Sequence, residues 1–281
     1  MTQLLAVENL RITFPTRTGP SEVVRGVSFT LGRERLGIVG ESGSGKSQTG
    51  RALLGLTPPP GVATADRLEF DGTDLRHASA ATWRSLRGVR ISMVMQDPKY
   101  SLNPVMTVGR QIVEAYRTQK GGARPAARDA ARDAAMAMLE AVQIRDPNRV
   151  FNAYPHELSG GMGQRAMIAM MLITEPDLLI ADEPTSALDV TVQLEVLGIL
   201  DRLVTDRGMG LIFISHDLRL VSTFCDRVLV MYAGRIVEEV KATEMARAQH
   251  PYTQGLYTCL PRIEGGDRPL KTLQRDAGWA L

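Results

Sequence analysis

Gly40-Glu41-Ser42-Gly43-Ser44-Gly45-Lys46-Ser47 decides the reading of this chain. The stretch fits G-x-x-x-x-G-K-S, a loop that wraps the phosphates of a nucleotide. Glycines let the backbone turn tightly and bring several N–H groups near the phosphate oxygens. Lys46 supplies a positive charge that reaches the outer phosphates, and Ser47 offers a hydroxyl to Mg²⁺. The helix opened by Gln48 would point its positive end at the same anion. Context supports the motif. Leu36-Gly37-Ile38-Val39 before it reads as a buried strand. Gln48 to Leu56 after it reads as a helix ending near Pro58-Pro59-Pro60-Gly61. A merely flexible glycine-serine linker does not require that setting.

The chain has 281 residues, enough for one large domain or two small ones. It carries 33 basic and 31 acidic residues, a formal net charge of +2, too balanced to argue for a nucleic-acid surface. Its two cysteines, Cys225 and Cys259, form neither a disulfide framework nor a metal-spacing motif, and a reducing cytosol fits them. No segment approaches the apolar length needed to cross a bilayer, and no secretory signal is visible. Any membrane role must therefore come through a partner.

Leu4 to Val7, Leu10 to Phe14 and Val23 to Leu31 read as short β segments, as does the stretch beginning Arg67-Leu68-Glu69-Phe70. From about residue 97 to 172 apolar residues recur at helical spacing, as in Val108, Ile112 and Ala115. Gly121-Gly122 with Pro125 reads as a linker. Ala126 to Gln143 reads as an amphipathic helix with Met136, Leu139 and Val142 on its apolar face and a solvated charged face opposite. From 177 to 240 strands and helices alternate again, which implies βαβ units and a mainly parallel sheet.

Leu178-Leu179-Ile180-Ala181 is an apolar strand that ends in Asp182-Glu183. Open α/β sheets place ligands at strand carboxyl ends. Asp182 would orient Mg²⁺ through its water shell, and Glu183 would polarise the attacking water as general base. His216 ends another apolar run and could donate a hydrogen bond to the γ-phosphate and the water. A lone histidine at a strand end is more often structural, but Asp217 beside it and the parallel with Asp182 favour function. Gln96 ends the run Ile91 to Met95 and could reach Mg²⁺ through its amide oxygen. Ser159-Gly160-Gly161 offers hydroxyl and amide donors at a helix N-terminus, a second anion site. Two anion sites and one strong phosphate loop suggest a nucleotide sandwiched between subunits. Met162, Met167, Met170 and Met171 read as core packing.

Taken together, these residues resemble the nucleotide-binding subunit of ABC transporters. The phosphate loop, Gln96, Leu158-Ser159-Gly160-Gly161, Asp182-Glu183, Ser186-Ala187-Leu188-Asp189 and His216 stand in the family's order. The resemblance implies an α/β fold: a P-loop NTPase core with a mainly parallel sheet, an N-terminal antiparallel β subdomain and an inserted α-helical subdomain. The cassette would span 1–240, with the helical part at about 97–172, and a tail would follow over 241–281. ATP would lie on Gly40 to Gln48, with Phe14 stacked on adenine and Mg²⁺ at Ser47, Gln96 and Asp182. Ser159, Gly160, Gly161 and Gln164 would cap the ATP of a second subunit, with Asp189 across the joint.

Met162 in the signature and His250-Pro251-Tyr252-Thr253 in the tail look like the peptide/nickel importer ATPases of bacteria. That resemblance implies a related second ATP-binding subunit, two transmembrane permease subunits and, indirectly, an extracytoplasmic substrate-binding protein. It also implies a peripheral place on the cytoplasmic face of the inner membrane and cargo of peptides or metal chelates. No nucleic-acid partner is expected. With only Cys259 beyond residue 240, no iron–sulfur cluster is expected either. The alternative, a soluble ATPase of this class acting on ribosomes or DNA, fits less well with a single cassette and no heptad array.

Overall fold

A computed structural model describes residues 3–96, 101–120, 125–186, 188–259 and 277–280. The strands are β1 Leu5–Thr16, β2 Gly19–Leu31, β3 Arg35–Val39, β4 Val62–Thr64, β5 Arg67–Phe70, β6 Thr73–Asp74, β7 Ile91–Val94, β8 Leu178–Asp182, β9 Gly210–Ser215, β10 Arg227–Tyr232 and β11 Arg235–Lys241. The α-helices are α1 Lys46–Ala52, α2 Ala80–Leu86, α3 Val108–Lys120, α4 Pro125–Ala141, α5 Pro147–Asn152, α6 Gly160–Leu172, α7 Val190–Arg207, α8 Leu218–Phe224 and α9 Pro251–Thr258. The chain forms two compact units, residues 1–79 with 212–281, and residues 80–211. The expected linker at Gly121-Gly122, and Ala187 of the Ser186-to-Asp189 run, lie outside the described residues.

In the first unit β1 pairs antiparallel with β2, β4 and β5. The sequence pattern predicts two segments where the structure has the single strand β1. The structure joins them through a bulge: the register shifts between Val7 and Leu10, and Asn9 adopts a φ of 51°. Asparagine tolerates this left-handed conformation, and its short side chain bonds locally there. Asn9 Oδ1 accepts from Arg11 Nε at 3.0 Å, and Asn9 Nδ2 donates to Asp66. The bulge resets the alternation, so Leu10 and Ile12 stay buried.

β3 pairs parallel with β10, and β10 pairs antiparallel with β11. Arg227, at the start of β10, bonds Glu34 at 2.7 Å and Glu239 at 2.6 Å. Burial alone would lift the Glu34 carboxyl, but hydrogen bonds from Arg227 and the Gly32 N–H outweigh it and hold the group below the ordinary carboxylate range. α8 packs on β3 because position 37 is glycine. A Cβ there would lie 2.1 Å from Val221 Cγ1 and 3.2 Å from Cys225 Sγ.

That packing buries Cys225, and burial pushes its thiol well above the ordinary range, with the Asp226 charge adding to the effect. Cys225 therefore stays protonated at neutral pH. An alkylating reagent is expected to modify the half-exposed Cys259 in the native protein and Cys225 only after unfolding. Rapid modification of both thiols in native buffer would contradict this packing.

The helix after the phosphate loop is shorter than the sequence implied, closing at Ala52 rather than near Leu56. Gly55 takes φ 59°, and the N–H groups of Gly55 and Leu56 bond the carbonyls of Ala52 and Arg51, both at 2.9 Å. This is a Schellman closure, which only a left-handed residue permits cheaply.

In the second unit β7 and β8 pair in parallel, from Ile91 opposite Leu178 to Val94 opposite Ala181. Arg90 and Asp177 clamp the start of this pair at 2.8 Å. In α4 the fully buried positions include Ala131, Ala135 and Leu139, spaced by four, and Val142 just beyond the helix is also buried. Met136 falls one position off this stripe and is only half-buried. Of the four methionines expected in the core, only Met167 is buried; Met162, Met170 and Met171 keep partial exposure. Gly109 lets Phe151 of α5 press onto α3, since a Cβ there would lie 2.2 Å from the ring. Among the described residues, no helix is long and apolar enough to cross a membrane.

Candidate nucleotide site

The phosphate loop lies in the first unit, between β3 and α1. Gly43 and Gly45 take φ values of 83° and 100°, which side-chain-bearing residues rarely adopt. Gly40 takes φ 155° and is fixed by close approach as well: a Cβ there would sit 2.1 Å from the Met231 carbonyl oxygen. Lys46 is 5% exposed, and its Nζ donates to the carbonyl oxygens of Gly40 at 2.8 Å and Glu41 at 2.9 Å. The ammonium is thus held inside the curl of the loop. No side chain caps α1, and its first turn holds no acidic residue. Ser44 Oγ and Gln48 Oε1 are buried without a hydrogen-bond partner among the described residues. Of the two, the Ser44 hydroxyl has a hydrogen to offer an anion in the loop, whereas the Gln48 amide oxygen can only accept.

Two further expected residues belong to this unit. His216 follows β9 and precedes Asp217, whose side chain caps α8 by accepting from the Leu220 N–H at 3.1 Å. His216 lines a cavity of about 420 Å³ with Gly40, Glu41, Ser42, Leu218 and Leu256. Histidine and phosphate loop are therefore neighbours. Phe14 is half-buried, with its ring against Gly61, where a Cβ would lie 2.4 Å from the ring. Sequence reasoning missed Tyr252, whose hydroxyl oxygen accepts the Glu41 N–H at 3.1 Å.

The carboxylates lie in the second unit. Asp182 ends β8 and is 5% exposed, while Glu183, next along, takes φ 47°. A left-handed glutamate costs about 1–2 kcal/mol and persists only where the surroundings dictate it. Such strain aims a side chain, and here the aim is visible. Gln96 Nε2 donates to Glu183 Oε2 at 3.2 Å, so the two expected residues meet. With its amide nitrogen turned to Glu183, Gln96 presents its amide oxygen elsewhere as an acceptor.

The signature opens α6. Ser159 caps the helix, accepting from the Met162 N–H, and both Ser159 and Gly160 are exposed. The two glycines differ. A Cβ at Gly161 would lie 2.7 Å from Val192 Cγ1, so this chain's own packing explains it; among the described residues a Cβ at Gly160 would meet nothing within 4 Å. Gln164, expected to share the exposed contact, is instead 2% exposed, with an Nε2 that lacks a hydrogen-bond partner. Asp189 caps α7 by accepting from the N–H groups of Thr191 and Val192, both at 3.1 Å. Just beyond it Val190 and Leu194 are 73% and 63% exposed. Arg165 ties α6 to α7 by an ion pair with Glu195.

A glycine loop with a buried lysine, and an apolar strand ending in paired carboxylates, define a P-loop nucleotide-binding protein. The chain belongs to the ABC transporter family, whose profile matches residues 24–186. It is 45% identical to the dipeptide transport ATP-binding protein DppD of Haemophilus influenzae, over 96% of this chain and 82% of that protein. It is 43% identical to the oligopeptide transport ATP-binding protein OppD of the same organism, over 97% of this chain and 84% of that protein. Among solved structures it shares its fold with the dimeric ATP-binding cassette MJ0796 bound to ADP and Pi, with a TM-score of 0.76 and 24% identity over 85% of this chain and 99% of that one. A second is cbiO1 from Clostridium perfringens, part of the cbiONQ transporter complex: TM-score 0.72 and 26% identity over 88% of this chain and 92% of that one.

Proposed function

We propose that this chain is the ATP-binding subunit of a bacterial peptide importer and hydrolyses ATP to drive uptake. One observation carries the reading: relatives named for dipeptide and oligopeptide transport align with nearly the whole chain. The same names favour peptides over nickel or other metal chelates as cargo, and transport over an action on ribosomes or DNA. The working place is the cytoplasmic face of the membrane, beside two permease subunits and a related second ATPase.

The roles follow from the chemistry. Lys46, held on the loop carbonyls, reaches the outer phosphates of ATP with its remaining donor capacity, and the N–H groups of Gly43 to Ser47 cradle the rest. Phe14 covers adenine. Ser47, Asp182 and the amide oxygen of Gln96 are hard oxygen donors, few in number, which suits Mg²⁺ because that ion keeps several waters and takes the rest of its shell from phosphates. When bound, the ion neutralises charge on the β- and γ-phosphates. Glu183 takes a proton from the attacking water at its carboxylate, with Gln96 holding that carboxylate in place. Oxygen–phosphorus bond formation at the γ-phosphate breaks its bond to the bridging oxygen and expels ADP, and His216 donates to the γ-phosphate and the attacking water. Ser159 and Gly160 complete the ATP pocket of the neighbouring subunit, and closure on ATP moves the permeases.

Lys46→Ala tests the nucleotide assignment. Losing charge-assisted hydrogen bonds to phosphate is expected to weaken ATP affinity about 10- to 100-fold. Titration of the purified chain with ATP measures it. Affinity equal to that of the wild type would remove Lys46 from the site.

A further inference from the structure

The tail motif His250-Pro251-Tyr252-Thr253 has no part in the roles assigned above, yet it is built into the phosphate loop. Its local logic is plain. His250 Nδ1 accepts the Tyr252 N–H at 3.2 Å and so caps α9, while Pro251 sets the first helical φ. The cap turns Tyr252 inward, where it is 0% exposed and among the largest fully buried side chains. Its ring lies 4.5 Å from the ring of Tyr232 and 5.7 Å from that of Trp279. A ring held by two others has little freedom, so its hydroxyl is a fixed point.

That fixed point touches one particular peptide unit. Tyr252 Oη accepts the Glu41 N–H at 3.1 Å. The carbonyl of the same peptide belongs to Gly40 and receives Lys46 Nζ at 2.8 Å. One peptide plane is therefore held at its N–H by the tail and at its C=O by the catalytic cation. Rotation of that plane would move the parking place of Lys46. The loop has other supports, since the Gly234 N–H bonds the Ser44 carbonyl at 3.1 Å. Tyr252 differs in acting on the peptide that Lys46 uses. Leu256, one turn along α9, lines the cavity beside Gly40, Ser42 and His216, so the same helix approaches the loop twice.

We propose that the His250–Thr253 motif is a positioning element for the phosphate loop, with Tyr252 pre-orienting the Gly40–Glu41 peptide so that Lys46 is set for ATP. Tyr252 acts through Glu41 and Lys46 and does not touch the nucleotide. The proposal rests on the reading of Gly40 to Ser47 as an ATP loop. Pre-organisation lowers the ordering cost of binding, so its loss shows in affinity before it shows in chemistry.

The test is Tyr252→Phe in the full chain, which keeps the ring and deletes only the hydroxyl. ATP affinity of the purified chain, and KM for ATP in the assembled transporter, are expected to weaken about threefold to tenfold, the worth of one hydrogen bond. The turnover number is expected to stay within about twofold of wild type. Trp279→Ala is expected to weaken KM in the same direction, and Trp279→Phe to restore it. An unchanged KM in Tyr252→Phe overturns the proposal. So does an unchanged KM with a lowered turnover number and unfolding midpoint, which marks a merely structural tyrosine. Wild type serves as the separating control. If it binds no ATP, the loop assignment itself fails; if it binds and Tyr252→Phe binds equally well, only the positioning role fails.

Discussion

Replacing Glu183 with glutamine is expected to lower ATP turnover by about 10²- to 10⁴-fold while leaving ATP affinity near wild type. Glutamine matches glutamate in shape and still meets Gln96, which donates to Glu183 Oε2 at 3.2 Å. What it cannot do is take a proton from water. The expected signature is thus a protein that binds and closes on ATP but releases phosphate slowly, read by steady-state phosphate release beside a binding titration. A companion variant separates chemistry from folding. Glu183 sits at φ 47°, so Glu183→Gly relieves strain worth about 1–2 kcal/mol. That variant is expected to be inactive yet more resistant to denaturant than wild type. Wild-type turnover in Glu183→Gln would move the proton to another group. A Glu183→Gly protein less stable than wild type would show that the backbone is not strained there.

Residues whose chemistry demands a given type at a given spacing were legible in the chain. Gly40 to Ser47, Asp182-Glu183 and Ser159-Gly160-Gly161 announce themselves because few other residues could do the work. Features set by distant neighbours were not. Leu4 to Phe14 looks like two strands because a window of sequence cannot show that Asn9 enters a bulge opposite β2. The apolar run through Leu56 hides the helix end at Ala52, since Leu53 and Leu54 continue the periodicity while Gly55 reverses the backbone. Gln164 follows the signature in sequence, yet α6 turns it into the interior, a matter of 100° per residue rather than of distance along the chain. Tyr252 was visible only as part of a motif. Its contact spans 211 positions, and no local pattern announces a hydroxyl aimed at a loop that remote in sequence.

Gly160→Glu is expected to separate what the signature does for its own fold from what it does for a partner. Among the described residues nothing requires glycine at 160, because a Cβ there meets none of their atoms within 4 Å. A glutamate in the first turn of α6 also favours the helix dipole, by about 0.3–1 kcal/mol. The purified variant should therefore unfold no earlier than wild type. It should also bind ATP normally, since its own phosphate loop is untouched. In the assembled transporter the same carboxylate would meet the γ-phosphate on the neighbouring subunit, adding like charge and bulk where N–H donors are needed. Loss of such donors costs about 10²- to 10³-fold in turnover. Stable, ATP-binding and inactive in the assembly is thus the expected combination. Undiminished hydrolysis would mean that Ser159 and Gly160 contact no nucleotide. Weakened ATP binding by the purified chain, with stability intact, would mean that the signature serves its own phosphate loop rather than a neighbour's.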